Sequence, residues 1–100
     1  MKHDKLVRDR IPDIIRAKGG TPVTHLATDE EYMARLDQKL MEEATEFFES
    51  RDPEELADIL EVVYALAQSK GISREKLERI RARKAQERGS FTRRIVLEEA

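Results

Sequence analysis

The sequence predicts an all-α protein, a bundle of about four helices, and three observations support this prediction. Apolar residues recur with helical spacing through most of the chain, and residues that favour helix starts precede these segments. Glycine or proline residues separate the segments from one another. The chain has 100 residues with no repeat or low-complexity tract, so we expect one domain covering 1–100.

The first two helices are predicted from signals at their ends. Pro12 suits the first turn of a short helix that the glycines at 19–20 end. Thr28 and Glu31 have the spacing of a capping box, in which each side chain bonds the backbone N–H of the other residue. They precede a long second helix, which we expect to extend to about Ser50.

The third and fourth helices are predicted in the same way. Asp52 followed by proline is a helix N-cap with a first-turn proline, and the third helix then ends near Gly71. Ser73 is the expected N-cap of the fourth helix, and Gly89 ends it. Two β-prone segments, 21–27 and 93–97, are candidates for single short strands that could pair with one another.

Composition excludes several classes of protein. The chain has no cysteine, which excludes disulfides, zinc–thiolate sites and thiol nucleophiles. Its longest apolar run, at 62–67, is far shorter than a membrane span, and its N-terminus lacks the apolar core of a signal peptide. We therefore expect a cytoplasmic protein with no membrane partner. A chain this short buries a small share of its surface, so a homodimer or higher homo-oligomer is a plausible source of additional core.

Charge is strongly segregated along the sequence. Residues 29–61 hold thirteen acidic against three basic residues, whereas 79–94 holds seven basic residues against one acidic residue. The two segments could neutralise each other across a bundle, or the basic segment could contact nucleic acid. Because the basic segment lacks interleaved aromatic residues and any recognised binding motif, we expect no nucleic acid polymer as a partner.

Two pairs of acidic residues are the candidates for chemistry. Glu43 and Glu46 lie three apart on the second helix, and Glu55 and Asp58 lie three apart on the third. Residues with this spacing are neighbours on one helix face, so each pair could supply two ligands to one cation. On a helical projection Glu43 and Glu55 fall within apolar arcs, with Glu46 and Asp58 at the margins. Glu43 lacks an evident local partner, which favours a hard cation such as Mg²⁺.

Structural interpretations compete with this one. Glu55 occupies the third position after Asp52, where a capping-box glutamate would also lie. Glu46 could form a surface ion pair with Lys39 or Arg51. We regard a shared cation as the better interpretation, because two carboxylates ~5 Å apart repel by about 3 kcal/mol at an effective dielectric constant of ~20. Exposed ion pairs, worth roughly 0–1 kcal/mol, could not offset four such groups.

Three basic residues are candidates for contacts with substrate phosphates. On the fourth helix an apolar stripe that begins at Leu77 and Ile80 continues into Lys84 and Arg88. These two cations could bind phosphate oxygens, or could simply favour the negative end of the helix dipole. Lys39, beside Glu46 on the second helix, is the third candidate.

These motifs resemble a known group of enzymes. The run 42–46 with its E-E-x-x-E pattern, followed by E-x-x-D at 55–58, resembles the signature of the all-α nucleotide pyrophosphohydrolases. That superfamily includes MazG-like proteins, dimeric dUTPases and phosphoribosyl-ATP pyrophosphohydrolases. The opening KLVRDRIPDII at 5–15 and the ending KAQERGSFTRRI at 84–95 are similar to a small MazG-like subgroup, so the resemblance extends over almost the whole chain.

The resemblance implies a helical bundle completed by an oligomer, with Mg²⁺, or alternatively Mn²⁺, at the acidic motif. It implies hydrolysis of a nucleoside triphosphate between the α- and β-phosphates, giving a monophosphate and pyrophosphate. By motif position, the metal ligands would be Glu43, Glu46, Glu55 and Asp58. Lys84 and Arg88 would contact phosphate. Glu43 or Glu46 is the expected catalytic base, the carboxylate that accepts a proton from the attacking water.

Two other functions remain open on the sequence. The substrate could be phosphoribosyl-ATP, an intermediate of histidine biosynthesis, although those enzymes usually carry a histidine where Ala65 follows Tyr64 here. Alternatively, the chain could be a non-catalytic helical interaction module. Neither His3 nor His25 has partners that suggest a catalytic triad or a metal site.

Overall fold

The computed structural model describes residues 4–100, which contain four helices and no β-strand. This confirms the predicted all-α class. No helix in this part of the chain combines the length and the apolar character needed to cross a bilayer. The helices are α1 (Ile11–Ala17), α2 (Asp29–Ser50), α3 (Pro53–Ser69) and α4 (Arg74–Arg88).

The chain divides after Leu66 into two compact units. The first unit contains α1, α2 and most of α3, and the second contains the last turn of α3, all of α4 and the C-terminal segment. Both acidic pairs of the sequence lie in the first unit, and Lys84 and Arg88 lie in the second.

The predicted N-caps of α2 and α4 are both formed. The Thr28 hydroxyl accepts a hydrogen bond from the backbone N–H of Glu31 at 3.2 Å, and the Ser73 hydroxyl accepts one from Lys76 at 3.1 Å. The carboxylate of Glu31 contacts the imidazole of His25 at 3.0 Å. Of the predicted capping box we therefore observe the threonine half, which satisfies one of the N–H groups that a helix start leaves unpaired.

Replacing Thr28 by alanine should destabilise the protein by about 1 kcal/mol, because the N–H of Glu31 loses its acceptor at the start of the longest helix. Urea denaturation followed by circular dichroism measures this change. Thr24→Ala is the matched control, since Thr24 is exposed and lies outside the helices. Equal stability of the two variants would show that the cap contributes nothing.

Glycine ends α4, as predicted. Gly89 has φ +83°, a conformation that side chains disfavour, and its N–H bonds the carbonyl of Ala85 at 2.8 Å. The left-handed position after α2 is occupied by Arg51 instead, with φ +60° and an N–H bond to the carbonyl of Phe47 at 2.8 Å. Helix α2 therefore ends at Ser50 without a glycine.

Few side chains are fully buried. In the first unit Leu36 and Val62 are 2% and 8% exposed, and in the second Ala67 is 8% exposed. Leu56 and Leu60, two of the apolar residues of α3, are 49% and 48% exposed. Helix α3 therefore has more apolar surface than the rest of the chain covers.

The expected strands at 21–27 and 93–97 are not formed. Their apolar side chains stay exposed: Val23 and Leu26 are 97% and 98% exposed, and Val96 is 83% exposed. A strand gains stability from a hydrogen-bonded partner and a buried face, and neither segment has either of them. Sequence propensity alone was therefore insufficient to order them as strands.

Candidate metal centre

Helices α2 and α3 bring three of the four predicted ligands together in the first unit. Helix α2 contributes Glu43, and the first turns of α3 contribute Glu55 and Asp58. One carboxylate oxygen from each of the three lies within 4.8 Å of the other two. Oxygen atoms at such separations can bind a single cation, so the geometry is that of a candidate metal centre.

The connection between α2 and α3 is held by local contacts. Only Arg51 and Asp52 separate the two helices, and the Arg51 guanidinium lies 5.3 Å from the ring centroid of Phe47 and 5.8 Å from that of Phe48. Such cation–π contacts attract the guanidinium to the aromatic rings at the end of α2. This short turn places the beginning of α3 beside the second half of α2, where Glu43 is located.

The start of α3 excludes the capping-box interpretation of Glu55. The side chain of Asp52 accepts a hydrogen bond from the N–H of Glu54 at 3.0 Å, as an N-cap does. In a capping box the carboxylate of Glu55 would accept a hydrogen bond from the N–H of Asp52. That N–H instead donates to the hydroxyl of Ser50 at 3.1 Å. The carboxylate of Glu55 is thereby left to face the other acidic residues, and its Oε2 is buried without a hydrogen-bond partner.

Glu43 is the buried member of the group. The residue is 7% exposed, and its Oε2 has no hydrogen-bond partner in the protein. Its Oε1 lies 3.4 Å from Nζ of Lys39, one turn earlier on α2. The expectation that Glu43 lacks a local partner was therefore wrong for one oxygen and holds for the other. A buried carboxylate oxygen without a donor is unfavourable, so this atom is a candidate ligand for a cation.

Burial and neighbouring charge raise the pKa of Glu43 above its ordinary value of 4.5. Burial is the largest cause, followed by Glu46, which favours the protonated form through a hydrogen bond and through its negative charge. Lys39 acts in the opposite direction and lowers the pKa of Glu43, but by less. A divalent cation would remove this penalty, because it stabilises the charged form of each carboxylate.

The same causes raise the pKa of Glu55 to about 7. Burial contributes most, and the nearby carboxylates of Glu46, Glu43 and Asp58 all add to the shift. Glu46 lies outside the set of three oxygens within 4.8 Å, yet it is close enough to affect both Glu43 and Glu55. We call the four residues Glu43, Glu46, Glu55 and Asp58 the acidic cluster.

The acidic cluster suits a hard divalent cation. Its donors are carboxylate oxygens, the ligands that Mg²⁺ and Mn²⁺ take in proteins. The orphaned Oε2 atoms of Glu43 and Glu55 provide two donors that are otherwise unused. The residues present therefore fit the cation that the sequence predicted; Glu43, Glu55 and Asp58 would hold it, with Glu46 beside them.

The predicted phosphate contacts differ in their surroundings. Lys39 has an 18% exposed side chain and is held by Glu43 at 3.4 Å and Glu42 at 3.7 Å. Lys84 and Arg88 are exposed residues of α4, and Arg88 is its last residue. Because these two belong to the second unit, their contact with substrate phosphate stays a prediction.

Sequence reasoning missed a basic residue at the cluster. Arg8, which precedes α1, lies with its guanidinium 2.6 Å from Oδ1 of Asp58. Helical periodicity could not find it, because residues 4–10 are not helical. The available signal was the run of basic residues in 5–10, but charge alone does not say which acidic group it meets.

His25 lies outside the three residues whose carboxylate oxygens converge, and it contacts a different glutamate. The ring of His25 lies 3.0 Å from the carboxylate of Glu31, and His25 is an exposed residue of the segment before α2. His3 lies outside the residues that the structure describes.

Comparisons with known proteins add little about function. No protein-family model and no solved structure matches the chain. The chain is 60% identical over 42 residues to an uncharacterized protein of Mycolicibacterium smegmatis. That match covers 42% of this chain and 43% of the relative, so the chain spans less than half the length of the curated relative that it matches.

Proposed function

We propose that the protein is a Mg²⁺-dependent nucleotide pyrophosphohydrolase of the MazG-like type, which hydrolyses a nucleoside triphosphate to a monophosphate and pyrophosphate. One observation carries the proposal: a glutamate oxygen, Oε2 of Glu43, is buried without a partner among three carboxylates whose oxygens lie within 4.8 Å of one another. The resemblance of the acidic motif to this superfamily connects the cation to phosphate chemistry.

Roles can be assigned to the residues of the acidic cluster. Glu43, Glu55 and Asp58 hold the cation, since their oxygens converge. When bound, the cation supplies positive charge to phosphate oxygens and lowers the pKa of an attacking water. The carboxylate of Glu46, which is outside the converging set, accepts the proton from that water. The water oxygen forms a bond to one phosphorus of the α–β anhydride, the P–O bond from that phosphorus to the bridging oxygen breaks, and the monophosphate and pyrophosphate separate.

The active form is proposed to be a homo-oligomer. Apolar side chains on the two long helices remain exposed in the single chain, among them Met41 at 71%, Phe48 at 66% and Leu60 at 48%. Exposed side chains of this size on ordered helices support association with a second copy.

We expect pyrophosphate and a nucleoside monophosphate to be released in equal amounts from at least one member of a nucleotide panel. The panel consists of the common NTPs and dNTPs and phosphoribosyl-ATP, each assayed with Mg²⁺ and with EDTA. Release from phosphoribosyl-ATP alone would assign the protein to histidine biosynthesis.

The opposite result would identify a different class of protein. If no panel member were hydrolysed and Mg²⁺ left the melting temperature unchanged, the acidic cluster would not be a metal centre. A non-catalytic helical interaction module would then be the better description.

A further inference from the structure

The segment before α1 is attached to the helices of the first unit by charged side chains. Arg35 on α2 donates to the backbone carbonyl of Asp4 at 2.8 Å and to its carboxylate at 3.2 Å. Lys5 lies 3.4 Å from Glu42 on α2. These contacts hold the segment on α2, and Arg8 farther along the segment reaches Asp58 of the acidic cluster on α3.

Arg8 pairs with a proposed metal ligand. Its guanidinium contacts Oδ1 of Asp58 at 2.6 Å, while the two side chains are 55% and 39% exposed. Ion pairs that are this exposed add little to stability because water and salt screen them. Arg8 lies in the non-helical segment before α1.

The balance of charges at the site indicates a second role for Arg8. When ionised, the four carboxylates of the acidic cluster carry four negative charges, and Lys39 and Arg8 contribute two positive charges. One divalent cation then brings the site to neutrality. Without Arg8 the cluster with one cation would stay negative and would repel a polyphosphate.

The chemistry of arginine suits this purpose. A guanidinium presents several N–H donors in a planar fork, which matches two phosphate oxygens at once. A cation bound at the acidic cluster would take over Asp58 and release the guanidinium at its rim, beside the phosphates that the cation attracts.

We infer that Arg8 is a substrate-binding residue, which contacts the phosphate oxygens of the nucleotide after a divalent cation has replaced it on Asp58. This inference rests on the proposed function of the acidic cluster. With a cation bound, Asp58 would be a ligand of that cation, and Arg8 would be available to contact phosphate.

Calorimetric titration of Arg8→Ala with two probes tests the inference. With Mg²⁺ alone, the variant should bind a few-fold more tightly than wild type, because no guanidinium competes for Asp58. With tripolyphosphate in saturating Mg²⁺, it should bind about tenfold or more weakly, since charge-assisted hydrogen bonds to phosphate are lost. Arg8→Lys keeps the charge without the fork and should fall between the two proteins.

Arg16→Ala is the matched control. Arg16 forms a similar exposed pair with Asp13 at 3.0 Å, and its side chain is 56% exposed, but it lies on α1 and touches none of the acidic cluster. This variant should bind both probes as wild type does. A thermal melt of each variant shows whether the N-terminal segment is also needed for folding.

Three results would overturn the inference. Unchanged tripolyphosphate affinity in Arg8→Ala would remove Arg8 from the substrate site and leave the proposed function intact. Equal losses of affinity for Mg²⁺ and for tripolyphosphate would show that Arg8 only supports the structure of the cluster. Wild-type protein that binds neither probe would refute the proposed function together with the inference.

Discussion

Replacing Glu43 by glutamine is expected to lower Mg²⁺-dependent pyrophosphate release by more than about a hundredfold. Loss of a group that merely orients a metal ligand already costs about 10- to 100-fold, and Glu43 is proposed as a ligand itself. Glutamine retains the size of the side chain and removes its charge, so the helix should remain intact. Steady-state kinetics and calorimetric titration with Mg²⁺ measure the two losses, which should occur together.

Glu46→Gln should separate these two effects. If Glu46 accepts the proton, its loss should lower turnover by about 10²–10⁴-fold while Mg²⁺ binding is largely retained. Glu49→Gln is the control, because Glu49 is an exposed residue on the same helix that receives the same substitution. Full activity in Glu43→Gln would contradict the assignment of the cluster.

The metal-free protein should lose stability as the pH rises from about 4.5 to about 7. The pKa of Glu55 is raised from its ordinary value of 4.5 to about 7 in the folded state, chiefly by burial and then by the charge of Glu46. Below about pH 4.5 the carboxyl is protonated in both the folded and the unfolded state, so it makes no contribution to the pH dependence of the free energy of unfolding. Between the two values only the folded state retains the proton, so the free energy of unfolding falls with pH.

Mg²⁺ should reverse this loss. At a concentration a hundred times its dissociation constant, a ligand that binds only the folded state adds about 2.7 kcal/mol, roughly 10–20 °C in melting temperature for a chain of this size. Thermal melts in EDTA and in Mg²⁺ between pH 4.5 and pH 8 measure both effects.

Glu55→Gln provides the comparison, because glutamine does not titrate. We expect its melting temperature in EDTA at pH 8 to exceed that of wild type by several degrees and to respond less to Mg²⁺. If the stability of the wild-type protein in EDTA did not change across this pH range, the prediction that the pKa of Glu55 is raised in the folded state would be contradicted.

The helices were predictable because their signals are local. Thr28 and Ser73 accept the hydrogen bonds expected of N-caps, and Gly89 adopts the positive φ, rare for other residues, with which α4 ends. The β-prone segments show the limit of this reasoning, since a strand depends on a partner that its own residues do not specify. Val23 and Leu26 have the right residue types and remain exposed.

The candidate site was predictable in part. Spacing of three residues placed Glu43 with Glu46 and Glu55 with Asp58 on single helix faces, and the short turn at Asp52 implied that the faces meet. Three of these carboxylates do converge within 4.8 Å.

The sequence by itself determined the helical class, the helix ends and the acidic residues that lie on inward faces, because each depends on contacts within a few residues. Only the tertiary structure decided that Lys39 shares the charge of Glu43, that Leu56 and Leu60 stay exposed, and that Arg8 reaches Asp58. Arg8 and Asp58 are 50 residues apart in the chain, and a contact at that separation depends on how the segments pack, which no local pattern encodes.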